Sequence, residues 1–93
     1  MKFEWDKDKN ARNKRKHGIS FELATLIFQD PHLISMSDHR YDEERWSSIG
    51  RVDGVVLYVA HVIGGDDNDE EIIRIISARA ATPSEERGYY TYR

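Results

Sequence analysis

The stretch RWSSIGRVDGVVLYVAHVI, residues 45–63, constrains the fold more than any other part of the chain. Two alternating runs rich in β-branched residues flank Asp53-Gly54, a pair that tolerates the positive φ angles of a two-residue type I′ turn. The stretch therefore predicts a hairpin of strands 45–52 and 55–63. The turn also sets a register: Val52 faces Val55, and counting outward places Arg51 opposite Val56, Ile49 opposite Tyr58 and Ser47 opposite Ala60. A further strand, EIIRIISAR, follows the polar loop GGDDNDE. A connection symmetric about Asp67 sets Ala60 opposite Arg74 and Tyr58 opposite Ile76.

The rest of the chain supplies elements to cover this sheet. KFEW predicts a short first strand, and DKDKNARNKRKHG a polar helix capped by Asp6 or Asp8 and stopped at Gly18, with Arg15, Lys16 and His17 in its last turn. Ser20 is placed to cap a second helix, FELATLIFQ, whose Phe21, Ala24, Ile27 and Phe28 recur at helical spacing before Asp30-Pro31 ends the pattern. HLISMS reads as a short strand and DHRYDEE as a polar connection. Thr82-Pro83 opens a short C-terminal helix. This order describes an α+β domain, an antiparallel meander with helices on one face. With 93 residues and 39% apolar content, one core and one domain, 1–93, account for the whole chain.

Alternation assigns Trp46, Val52, Val55, Leu57, Val59, His61, Ile73 and Ile75 to a core face. Arg45, Ser47, Arg51, Tyr58, Arg74 and Ala78 then fall on the opposite face, where three guanidinium groups form a surface suited to phosphates. The net charge of −3 does not oppose this, because charge is segregated: residues 1–20 carry +4, whereas DDNDEE concentrates five acids in a solvated loop. The absence of cysteine removes disulfides and thiol nucleophiles, and the four histidines show no metal-ligand spacing. DDNDEE lacks the glycine and distal glutamate of a calcium loop. No apolar run approaches the length of a membrane span and the N-terminus has no secretory pattern, so a cytoplasmic protein is expected.

FEWD (3–6), KHGISFELA (16–24), FQDP (28–31), ERWSSIG (44–50), VVLYVAHV (55–62) and IRIISARAAT (73–82), followed by Glu85, Arg87 and Tyr89, recur in one order and spacing. Together they make the chain similar to the BrnT toxins of bacterial type II toxin–antitoxin systems, over nearly its whole length. The resemblance implies a RelE-like fold, ribonuclease activity that halts translation, and no cofactor. It also implies neutralisation by a BrnA-type antitoxin whose ribbon-helix-helix part binds operator DNA. Its closing motif points to Arg74, Ser77, Arg79, Glu85 and Tyr89, and its other motifs contain His17 and His61. The chain departs from the pattern at Ala80, where a lysine is expected after the arginine of the SAR motif.

Metal-free RNA cleavage requires a base for the 2′-hydroxyl, cations for the charge gathering on phosphorus, and an acid for the leaving 5′-oxygen. Arg74 and Arg79 are the candidates for the scissile phosphate, with Glu85 and His61 as further catalytic candidates. Lys16, His17, Arg45, Arg51, Tyr58, Ser77 and Tyr89 are the candidates for RNA contacts. Four have a structural alternative: Arg79 as the ion-pair partner of Glu85 or Glu86, His61 as a satisfied core histidine, His17 as a helix-end group, and Ser77 as a small residue in the sheet. The rival functional reading is a non-catalytic module whose arginine face docks a partner or serves a co-repressor.

Overall fold

The computed structural model describes residues 1–38 and 44–91; His39 and most of the predicted polar connection lie outside the described residues. The elements run β1 (Lys2–Glu4), α1 (Lys7–His17), α2 (Phe21–Ala24) continuing into a 3-10 turn (Thr25–Gln29), β2 (Ile34–Asp38), β3 (Arg45–Val52), β4 (Val55–Gly65), β5 (Glu71–Ala80) and α3 (Pro83–Thr91). The five strands form one sheet in the order β1-β5-β4-β3-β2, antiparallel except for the parallel β1–β5 pair. The fold is thus mixed α+β.

Local chemistry fixes each helix end. The Asp6 carboxylate accepts from the amides of Asp8 and Lys9 at 2.8 and 3.1 Å, while Gly18, at φ 73°, closes α1 by donating to the Lys14 carbonyl. Ser20 caps α2 by accepting from the Leu23 amide at 3.0 Å. The expected helix over 21–29 tightens to 3-10 geometry at Thr25, where the chain presses on β3. A Cβ at Gly50 would sit 2.8 Å from the Ile27 Cβ, so only glycine allows this approach. At the start of α3, Thr82 and Glu85 cap each other: the Glu85 amide donates to the Thr82 hydroxyl and the Thr82 amide to the Glu85 carboxylate.

Asp53 and Gly54 both take positive φ, and the β3–β4 register is the predicted one, with Ile49 opposite Tyr58 and Ser47 opposite Ala60. The β4–β5 register is not. His61 faces Ile75 and Val62 faces Arg74, whereas Ala60 faces Ser77 and Tyr58 faces Arg79; the extra residue, Ile76, is a β-bulge. Two causes separate this from the symmetric expectation. β4 runs on to Gly65, and the loop is closed tightly by the Asp66 carboxylate, which accepts from the amides of Asn68 and Glu70. The bulge then reverses the parity of everything after it, so Ala78, expected on the outer face, is buried in the main core. Val55, expected in the core, is exposed beside the turn.

The inner face packs Phe21, Ala24 and Ile27 against Leu57, Val59, Ile73, Ile75 and Ala78. A second, smaller cluster joins Tyr89 of α3 to Ile49 and Val56, residues whose alternation places them on the outer face. The helices therefore do not all cover one face; α3 closes one end of the other.

Helix α1 is tied to β5 by a single buried side chain. Asn13 accepts from the Ala78 amide (3.1 Å) and donates to the carbonyls of Ala78 and Ile19 (both 2.8 Å), taking the place of a neighbouring strand beyond the end of β1. Replacing it strands a buried amide and carbonyl, a cost of about 2 kcal/mol. Asn13→Ala should lower the unfolding free energy in urea by that amount, with Lys14→Ala within about 0.5 kcal/mol of the parent. A loss below about 0.5 kcal/mol for Asn13→Ala would contradict the assignment.

Candidate functional site

The bulge decides where the chemistry of β5 points. Odd-numbered residues Ile73 and Ile75 face the core, and unbroken alternation would send Ser77 and Arg79 after them. With Ile76 inserted, both lie on the outer face, Ser77 beside Ala60 and Arg79 beside Tyr58. Ser47, Ala60 and Ser77 form a row of small residues across three strands, a shallow floor bounded on one side by Ile49, Tyr58, Arg79 and the covering α3.

Arg79 is tightly constrained on this face. Its Nη1 and Nη2 donate to the two Glu85 oxygens at 2.7 and 3.0 Å, Nη1 also donates to the Ala80 carbonyl, and the guanidinium lies 4.1 Å from the centroid of the Tyr58 ring. Tyr58 in turn shares a 2.6 Å hydrogen bond with the Ser47 hydroxyl. The ion-pair alternative for Arg79 is therefore what the structure contains, and the Arg79 hydrogen bond holds the Glu85 carboxyl below its ordinary range. The pair does not use up the guanidinium. Of its five N–H donors three are engaged at the Nη1–Nη2 end, and the side edge, Nε–H with the second Nη2 hydrogen, has no hydrogen-bond partner among the described residues, with the side chain 35% exposed. Such an edge binds two oxygens of a phosphate.

The other predicted residues fall into separate places. Arg74, exposed, lies on the same face as Arg79 but about 16 Å away along β5, with Arg45 also beyond the floor, so the two β5 arginines do not converge on one phosphate. Lys16, His17 and Ser77 come together in a groove of about 300 Å³ between α1 and β5. Arg51 and Tyr89 sit at the opposite end, around Asp30, which accepts from the Tyr89 hydroxyl, the Arg51 amide (2.7 Å) and the His32 amide (2.9 Å). Burial pushes the Asp30 carboxyl up, but these three donors outweigh it and hold it below its ordinary range.

His61 is remote from all of these. It is 1% exposed on the inner face, edge-on to Phe28, with Nε2 at 2.7 Å from the Ser48 hydroxyl, which is itself 2.7 Å from that of Ser35. Its Nδ1 has no hydrogen-bond partner among the described residues. Burial lowers its pKa to about 4, so the ring is neutral at pH 7. This geometry favours the core-histidine alternative.

Lys9 and Arg12 belong to the basic segment KDKNARNKRKHG, which the sequence offers as a whole for phosphate contacts or as a solvated helix without singling them out; both line the same groove as Lys16, and their spacing with Lys16 marks one helix stripe. Sequence reasoning missed Asn13, whose only signal is an asparagine in a helix interior, where its intrinsic preference is low. A family model for the ribonuclease toxin BrnT of type II toxin–antitoxin systems matches residues 5–85. No match was found among the curated proteins.

The neutral, buried His61 makes a pH prediction with a definite sign. Its folded pKa lies below the unfolded value of about 6.5, so the unfolded chain binds the extra proton and stability falls as pH drops from about 6.5 toward 4. Urea titrations of the parent at pH 7 and 4.5 should show about 2–3 kcal/mol more loss than the same pair on His61→Gln. Equal losses in both proteins would place the ring in water.

Proposed function

We propose a reaction on one premise: the chain belongs to the BrnT family of ribonuclease toxins of type II toxin–antitoxin systems. It is an endoribonuclease that binds single-stranded RNA across the outer face of the sheet and cleaves it by attack of a 2′-hydroxyl on the adjacent phosphorus. The P–O bond to the 5′-oxygen breaks, leaving a 2′,3′-cyclic phosphate and a 5′-hydroxyl. The observation that carries this reading is the free side edge of Arg79, held over Tyr58 by Glu85 next to a floor of small residues.

Arg79 takes the two non-bridging oxygens of the scissile phosphate, and Glu85 fixes the plane of the guanidinium so that little is lost in ordering it. Ser77 donates to the same or the adjoining phosphate. Arg74 and Arg45, at the far side of the floor, contact flanking phosphates. The fold is RelE-like in its use of one open sheet face for the substrate. No metal takes part, because the charge gathering on phosphorus is met by arginine. Translation stops through loss of message. A BrnA-type antitoxin, carrying a ribbon-helix-helix part that binds the operator, holds the toxin inactive in the cytoplasm; the type II system named by the family model supports such a partner. Among the described residues no helix is long and apolar enough to cross a membrane.

A docking module without activity is the second reading, favoured by the neutralisation of Arg79 by Glu85. The two differ in one assay. The purified protein, freed of antitoxin and incubated with RNA in EDTA, should produce fragments ending in cyclic phosphate, and Arg79→Ala should slow the cleavage step by about 10²-fold or more while remaining folded. Fragmentation of equal rate in the variant removes Arg79 from the reaction, and intact RNA with the parent protein leaves the docking module.

A further inference from the structure

Helix α1 carries two cationic stripes. Lys9, Arg12 and Lys16 lie with Asn13 and His17 along the side that faces β5, whereas Lys7 and Lys14 line a different groove with Trp5 and Glu22. A uniformly solvated helix would give the two stripes the same role. Their surroundings differ in ways that matter for an anion.

The groove at β5 contains no carboxylate, and its cations make no ion pair with any described residue. Its other wall is the bulge, with the Ser77 hydroxyl as a donor beside the floor that leads to Arg79. The second groove holds Glu22, whose carboxylate already accepts from Asn10. The walls of the first groove are also fixed relative to each other, because Asn13, at its centre, is bonded to the Ala78 backbone just beyond Ser77. From Lys9 to Lys16 the stripe spans about 10 Å, room for two successive phosphates.

We infer that the α1–β5 groove, lined by Lys9, Arg12, Lys16, His17 and Ser77, is a phosphate-tracking subsite that holds the RNA strand on one side of the Arg79 phosphate. It tracks the backbone and reads no base edges, since no Phe, Tyr or Trp ring lines it and its contacts to the strand are basic side chains and a hydroxyl. An acidic protein segment shares the charge, but the groove opens beside the floor of small residues that leads to Arg79, the path of a continuous phosphodiester strand. The inference rests on the ribonuclease reading for its choice of RNA.

The test uses the full chain without antitoxin and a 12-nucleotide RNA bearing 2′-O-methyl ribose throughout, which cannot be cleaved through its 2′-oxygens. Binding is followed by fluorescence anisotropy as a function of salt. Lys9→Gln with Lys16→Gln should reduce the slope of log K against log salt by about 1.4, the share of two single-strand phosphates. Lys7→Gln with Lys14→Gln, the same loss of charge on the other stripe, should change it by less than about 0.5. Equal reductions would show general attraction only, and no reduction in either would empty the groove; both overturn the subsite. So would a first pair that weakens a polyglutamate peptide while leaving RNA binding intact. If the first pair does not fold, Lys16→Gln alone is compared with Lys14→Gln, with an expected difference of about 0.7. Failure of the parent to cleave ordinary RNA speaks against the reaction and not against the groove, because binding is read on an uncleavable strand.

Discussion

The two hydrogen bonds between the Asn13 amide and the Ala78 backbone hold the site together. At that point β5 has run past β1 and its edge would otherwise present an unpaired amide and carbonyl in a buried setting. A side-chain amide is the one common group that offers a donor and an acceptor with the geometry of a peptide. By supplying both, α1 stabilises the strand immediately after the bulge and places its own basic stripe next to Ser77. The bulge, the outward turn of Arg79 and the cationic groove are thus one arrangement.

On the outer face a carboxylate does two jobs. Glu85 caps α3 through the Thr82 amide and orients Arg79 through both oxygens, so the start of the last helix and the direction of the guanidinium are set together. Tyr58, stacked under Arg79 and bonded to Ser47, carries that order across to β3. Neutralising Arg79 weakens its long-range pull on the phosphate proposed for it, and in the same proposal the α1 stripe supplies that pull from the side. A protein of net charge −3 can in this way present a cationic path, because five of its 17 acids gather in the loop at 66–71.

Much of this was legible in the sequence, and what was not has a common cause. Asp53-Gly54 admits one turn type, so the β3–β4 register followed from counting, and Asp6, Gly18 and Ser20 marked helix ends through local hydrogen bonds that need no partner elsewhere. The loop 66–70 has no such unique geometry, and a bulge inside EIIRIISARA leaves no composition signal, so the parity of Ala78 and the rows containing Ser77 and Arg79 could not be counted. Burial of His61 under Phe28, the Asp30 junction with Tyr89, and the Asn13 contact join residues 33, 59 and 65 positions apart, separations at which single-sequence periodicity is silent. The α1 stripe was visible as spacing, but only the position of β5 shows which side of the helix meets a groove.

The claim on which the rest depends is the inserted residue in β5, and cross-strand nuclear Overhauser contacts between backbone protons read it directly. The account predicts contacts of His61 with Ile75 and, beyond the bulge, of Tyr58 with Arg79 and Ala60 with Ser77. Contacts of Tyr58 with Ala78 and of Ala60 with Ile76 would mean an unbroken ladder with Arg79 turned into the core, and would contradict it.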